Sequence, residues 1–356
     1  MIKDKPFIHL FKTPGGYYVF DVNTNIIMRV QKPVYEFLDE EQQCENKGFE
    51  HKVAEEDRIL IENMIGRGFL SSKRVSQIQR PMDEILPDCL ESKLRMMTLQ
   101  LTQQYNLRCK YCVYSGNYLN REHSSRRMNF DTATKAIDFF IKHAGDTYSI
   151  NLGFYGGEPL LEFGLIKKCI EYAEEKGEGK RITFNITTNG TLIDEGTIEY
   201  FEAHDISMTI SLDGPKEVHD KNRRFAGNDT GTFDRIMENL DMIKAKFPEY
   251  LKNKVNFNVV MDPENDFSCA NEFFTSYENI KDSLITSAEI NRLYSKNSAT
   301  TEVSDFVEKR NYELFKLFLW NINKLDRKYV SRLVIQYEGN LKNRVYDPSE
   351  AFEKRT

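Results

Sequence analysis

From residue 96 to residue 290 the chain alternates short strand-like segments with amphipathic helical ones, and this alternation limits the possible folds more than any other feature. Strands are expected at 96–102, 149–155, 182–187, 206–212 and 255–261, with a sixth near 283–290. Helices are expected at 131–143, where Ala133, Ile137, Phe140 and Ile141 share a face, and at 162–176, 194–203 and 233–246. Thr232 is placed to cap the last of these. Strand–helix–strand units favour parallel strands joined by right-handed crossovers. The sheet is then either open and doubly wound or barrel-like, and in both its chemistry belongs at the C-terminal ends of the strands.

Those ends carry polar motifs. After the first strand, Asn106-Leu107-Arg108-Cys109-Lys110-Tyr111-Cys112 presents two thiols two residues apart, a place to put a metal. A redox dithiol or half of a zinc ribbon has the same spacing. After the second strand, Gly156-Gly157-Glu158-Pro159-Leu160 combines glycines that let backbone approach a ligand with a carboxylate able to bind an ammonium group. Pro159 suits a helix entrance, so a plain turn with an acid at the helix start explains it equally well. The third strand ends in Thr187-Thr188-Asn189-Gly190-Thr191-Leu192, which taken alone is a turn. The fourth ends in Ser211-Leu212-Asp213-Gly214-Pro215, either a site or a turn with a capping acid, followed by His219-Asp220 and Arg223. No partner histidine lies near His219, so no metal-ligand role is expected of it.

Taken in order, the cysteine loop, GGEP, TNGTL and SLDGP with H-D-x-x-R resemble the radical S-adenosylmethionine (SAM) enzymes over about residues 94 to 265. The resemblance implies a partial (β/α)6 TIM-like barrel, of α/β class. It also implies a [4Fe–4S] cluster and SAM as cofactors, the cluster reducing SAM to a 5′-deoxyadenosyl radical that abstracts a substrate hydrogen. Carried over position by position, Cys109 and Cys112 are cluster ligands, and Gly156, Gly157 and Glu158 contact the methionine amino group. Ser211 faces the ribose or carboxylate, Arg223 pairs with the carboxylate, and Asn189 and Tyr111 complete the cofactor-binding set. The family motif is C-x3-C-x2-C; here Tyr105 stands where its first cysteine belongs. Phenolate is a hard oxygen donor with a pKa near 10 and is expected to replace thiolate poorly. Three readings follow: an active enzyme, a degenerate homologue that binds a peptide without catalysis, and an unrelated zinc protein.

The chain is most similar to peptide-modifying members, thioether-forming maturases among them, which carry an N-terminal peptide-recognition domain and a C-terminal SPASM domain. Residues 6–30 read as a β-meander with turns at Pro14-Gly15-Gly16 and Asn23-Thr24-Asn25. A helix with Val34, Phe37 and Leu38 on one face follows, then one carrying Ile61, Met64 and Ile65. Residues 1–75 are therefore expected to be a winged-helix-like α+β domain whose sheet edge binds the leader of a ribosomally made precursor peptide, although a barrel-capping extension has the same pattern. Residues 76–93 are expected as a linker, 94–300 as the barrel and 301–356 as a helical extension at the start of a missing SPASM-type region. A long helix is expected at 303–325 with Phe306, Val307, Leu314, Leu317, Phe318 and Ile322. No cysteine follows Cys269, so auxiliary clusters have no thiolates, and the chain is expected to be truncated or to have lost that domain.

Composition narrows the partners. A net charge of −6 gives no basic surface for nucleic acid. No apolar run reaches 18 residues and no signal peptide opens the chain, so no membrane association is expected. Cysteines at 44, 89, 109, 112, 169 and 269 form no disulfide framework, which points to a reducing cytoplasm. Cys169 is expected in the core. The resemblance adds an electron donor, such as a flavodoxin or ferredoxin, as a partner.

Overall fold

The computed structural model describes residues 4–43, 54–74, 83–112, 124–277, 280, 283–290 and 304–338. The chain divides into two units, Met1–Glu84 and Ile85–Thr356.

In the first unit, β1 (Ile8–Thr13), β2 (Gly16–Asp21) and β3 (Ile26–Val30) form an antiparallel meander in that order. Its first turn needs glycine: Gly16 has φ +147°, and the Arg29 side chain lies where its Cβ would point. Two helices follow, α1 (Lys32–Gln43) and α2 (Glu55–Gly66). Val19, Val34, Leu38, Ile61, Met64 and Leu70 form the core. The buried Asp21 carboxylate accepts from Thr24 N and Oγ1 at 2.9 and 3.0 Å and from Leu70 N at 2.6 Å, tying the sheet to the segment after α2. Ile65, expected on the buried face of α2, is instead exposed.

The second unit opens with α3 (Leu86–Ser92), a helix inside the stretch expected as a linker. Pro87 stands in its first turn, where proline's missing N–H leaves no helix bond unmade. Six parallel strands follow: β4 (Met96–Thr102), β5 (Ser149–Gly156), β6 (Arg181–Thr188), β7 (Ile206–Ser211), β8 (Val255–Met261) and β9 (Ile285–Glu289). Between them run α4 (Phe130–His143), α5 (Phe163–Lys176), α6 (Glu195–Ala203), α7 (Lys216–Asn222), α8 (Phe233–Lys246), α9 (Pro248–Lys254) and α10 (Phe267–Ser276).

Strand order settles which α/β architecture this is. The strands lie in sequence order from β4 to β9, each pairing with the next in parallel. A doubly wound sheet reverses order at a switch point so that helices cover both faces. Without a reversal, right-handed crossovers put every connecting helix on one face. Burial agrees. In β6, Phe184 and Ile186 are buried while Thr183, Asn185 and Thr187 are only half-buried, and β8 alternates in the same way. Parallel strands covered on both faces are apolar throughout, so this pleat has one face toward helices and one polar face left open. The result is a six-stranded partial TIM-like barrel, with β4 and β9 as its edges.

The core lies between strands and helices, with Leu101, Leu152, Phe154, Ile186, Met208 and Phe257 against Ile137, Phe140, Ile166, Ile170, Phe201 and Leu240. Cys169 is fully buried there. Side chains start three of the helices: Asn129 accepts from Thr132 N, Asp194 from Thr197 N and Asp266 from Ser268 N, each at 2.8 Å. At α8 the cap differs from the expected one. Thr232 makes no side-chain cap; Asp220 Oδ1 accepts from the N–H groups of Thr232 and Phe233 at 2.8 and 2.9 Å. The long helix α11 (Ser304–Asn321) ends short of the expected residue 325 as Asn323 turns to φ +56°. Phe306 and Leu317 are buried under it, whereas Phe318 and Ile322 are exposed.

Candidate functional site

The polar motifs gather at the C-terminal ends of β4 to β7. Beyond β4 the chain leaves the sheet at Thr102, and residues 106–110 run beside 222–226 as a short ribbon. Arg108 N donates to Arg224 O at 2.8 Å, Lys110 N to Asn222 O at 3.0 Å and Ala226 N to Asn106 O at 2.9 Å. This ribbon carries Cys109 and Cys112, both half-buried, with Cys112 N donating to Cys109 O at 3.1 Å. Burial pushes the Cys109 thiol up to about 11, with Arg223 acting in the opposite sense. A metal bound there therefore has to displace a proton.

The diglycine corner after β5 packs directly on this loop. Gly157 N donates to Thr102 O at 2.6 Å, and Glu158 N to Gln104 O at 2.8 Å. A Cβ on Gly156 would stand 2.3 Å from Thr102 O, and one on Gly157 1.8 Å from Gln104 O. The glycines were expected to let backbone approach a ligand; in this structure the close approach they permit is to the start of the cysteine loop.

Glu158 is completely buried. Its Oε1 accepts from Leu160 N at 3.0 Å and Thr188 Oγ1 at 2.8 Å, and its Oε2 from Asn189 N at 2.8 Å. Burial lifts the carboxyl to about 7 although all three donors favour the charged form. Asn189 links onward: its Nδ2 donates to Asn106 Oδ1 at 2.8 Å, and its Oδ1 accepts from Thr191 N and Oγ1 at 3.0 and 2.7 Å. The asparagine that opens the cysteine loop, the acid after β5 and the turn after β6 are thus one hydrogen-bonded unit.

Ser211 closes β7, buried and in register with Asn258. Beside it lies a charge cluster in which Arg223, expected to pair with a ligand carboxylate, has its fork on Asp213. Nε donates to Oδ2 at 2.8 Å and one terminal nitrogen to Oδ1 at 3.1 Å. Tyr111 Oη donates to Asp213 Oδ2 at 2.5 Å, and Val260 N to Oδ1 at 3.0 Å. Burial penalises the Asp213 charge, but Arg223 holds the carboxyl below its usual range, and Asp213 in turn holds Arg223 above its own. His219 spans the cluster: Nδ1 accepts from Asp213 N at 3.3 Å, and Nε2 lies 2.9 Å from Thr232 Oγ1. Burial lowers His219 to about 4, so the ring is neutral at pH 7.

Sequence reasoning undervalued Asp213, which is no helix cap, since α7 starts after Pro215 without a side-chain cap. The signal was present in its spacing to Arg223, ten residues on across one short helix. Asn106 was quoted in the loop without a role, and nothing local in sequence tells that it meets Asn189 and Thr191.

The donor set meets part of what the cofactors implied by the motifs require. The buried acid at the diglycine corner suits a ligand ammonium group, whereas Arg223 has its fork on Asp213 rather than turned to a ligand carboxylate. The thiolates are one short of three. Among the described residues no group of three His, Cys, Asp or Glu side chains gathers to hold a metal, and Tyr105, at the first position of the motif, is half-buried. Cys44 lies outside the described residues.

Comparison with known proteins agrees with this geometry. The pattern of the radical SAM superfamily matches residues 102–271. An uncharacterized protein of Methanocaldococcus jannaschii is 35% identical over 143 residues, 40% of this chain and 46% of the relative. A cysteine-type anaerobic sulfatase-maturating enzyme of Clostridium novyi is 32% identical over 161 residues, 44% of this chain and 42% of the relative. The matched segment thus spans less than half the length of either. Among solved structures, anSMEcpe with bound AdoMet and Cp18Cys peptide superposes with a TM-score of 0.52 at 20% identity, covering 65% of this chain and 62% of that one, a likeness of fold. The family's cofactors are a [4Fe–4S] cluster and SAM. Residues 102–271, just under half of the chain, thus match a radical SAM domain.

Proposed function

We propose that this chain is a peptide-modifying maturase whose SAM site lies at the C-terminal ends of β4 to β7. One observation carries the reading: the run of hydrogen bonds from Gln104 to Glu158, from Glu158 to Asn189 and from Asn189 to Asn106. It joins the dithiol loop to the diglycine acid inside the matched segment. In this reading Cys109 and Cys112 ligate iron, and Gly156, Gly157 and Glu158 receive the methionine ammonium. Tyr111, Asn189, Ser211 and Arg223 line the rest of the cosubstrate. The bound cofactors supply a carbon radical able to abstract hydrogen. The chain's own residues hold the cosubstrate in a fixed pose and keep water from it.

The sulfatase-maturating relative at 32% identity supports a peptide substrate. In the first unit, the meander edges β1 and β3 suit a leader peptide added as a further strand. A reducing partner of the flavodoxin or ferredoxin kind supplies the electron. No helix among the described residues is long and apolar enough to cross a membrane.

The test is an anaerobic incubation of the full chain, reconstituted with iron and sulfide, with SAM and dithionite. The proposal expects 5′-deoxyadenosine from the wild type and none from the Cys109→Ser/Cys112→Ser double variant. Equal background from both is the outcome expected of a homologue that binds a leader and catalyses nothing.

A further inference from the structure

Asp213, to which the functional reading gives no role, sits at the centre of a buried cluster that reaches three parts of the chain. Its carboxylate is 2% exposed and takes four donors: Tyr111 Oη, two nitrogens of Arg223, and Val260 N. These come from three places. Tyr111 sits inside the C-x2-C pair, Arg223 sits in the segment 222–226 to which the loop is zipped, and Val260 belongs to β8. Arg223 also lies 5.4 Å from the centre of the Tyr111 ring. One carboxylate thus binds both strands of the ribbon carrying the thiols and fastens them to the sheet.

We propose that Asp213 is the positioning residue of the dithiol loop, fixing Cys109 and Cys112 against the sheet before any metal arrives. The inference deepens the functional reading and rests on it only in naming the two cysteines as ligands; the clamp itself is formed by protein atoms alone. It bears on Tyr105 directly. Three thiolates on one cluster would tie both ends of this loop together through the metal. With a tyrosine at the first position that tie is missing, and the loop depends on Tyr111 and Arg223 for its shape.

Asp213→Asn leaves a buried guanidinium without its counter-charge and risks general unfolding. Tyr111→Phe is the sharper variant, because it deletes one hydroxyl and leaves the Asp213–Arg223 pair intact. The experiment measures alkylation of the metal-free full chain by iodoacetamide under anaerobic reducing conditions, resolved by peptide mapping. The exposed Cys269 serves as internal reference. A hydrogen bond to a charged acceptor biases a local opening by about tenfold or more. Tyr111→Phe is therefore expected to raise labelling at Cys109 and Cys112 by at least about tenfold, with Cys269 labelling unchanged and the thermal midpoint lowered by no more than about 5 °C. Unchanged labelling at the pair overturns the proposal. So does a uniform rise at all three cysteines with a midpoint lowered beyond that, which marks general destabilisation. The readout uses neither SAM nor iron. A failed SAM assay with the expected labelling therefore removes the maturase reading and leaves the clamp; the reverse result removes only the clamp.

Discussion

Glu158 and His219 are both buried titratable groups, and they bend the stability curve in opposite directions. Burial lifts Glu158 from 4.5 to about 7. Between those values the folded chain keeps a proton that the unfolded chain has released, so this group's contribution falls as pH rises through that window. Burial lowers His219 from 6.5 to about 4. There the unfolded chain takes up a proton that the folded chain refuses, so this contribution falls as pH drops through that window. The slopes oppose each other between pH 4.5 and 6.5. Glu158→Gln removes the first and leaves the second, and its thermal midpoint is expected to fall more steeply than that of the wild type as pH is lowered from 6.5 toward 4.5. Parallel melting curves for variant and wild type across that interval would contradict the assigned burial of Glu158. This behaviour was hidden in sequence. GGEP announces an acid beside two glycines, but its burial depends on Thr188 and Asn189 arriving from another strand.

At the scale of elements, the corner between β4 and β5 tolerates no side chain. Gly157→Ala drives a methyl onto the Gln104 carbonyl, backbone against backbone, and is expected to destabilise by about 3 kcal/mol or more. Gly227→Ala meets nothing within 4 Å and is expected to stay within about 0.5 kcal/mol of wild type. Chemical denaturation of the two variants checks the contrast; equal losses would mean that the corner yields. The strands themselves were legible, since half-buried parallel strands alternate apolar and polar residues, as β6 and β8 do. Two features were not. The polar stretch before β4 conceals α3, in which no residue is buried and which so leaves no periodic apolar signal. In α11, the apolar position Phe318 fits the helical period yet faces solvent, as does Ile322 just beyond its end, because composition alone does not tell which part of a row is covered.

At the scale of the molecule, strand order turned an ambiguous alternation into one architecture, and that architecture brings four motif-bearing strand ends together. The order β4 to β9 is the part that sequence left open between a doubly wound sheet and a barrel. What sequence did state plainly was the departure at Tyr105, and the described residues supply no third ligand to offset it. The measurement that bears most directly on the account is iron per chain after anaerobic reconstitution, with the paramagnetic spectrum recorded before and after adding SAM. Wild type, Tyr105→Cys and Cys109→Ser/Cys112→Ser are to be compared. The account predicts that iron bound by the wild type is lost in the double variant and rises in Tyr105→Cys, and that SAM perturbs the spectrum of both iron-bearing forms. Iron in the wild type no higher than in the double variant, together with no gain from Tyr105→Cys and no response to SAM, would contradict it.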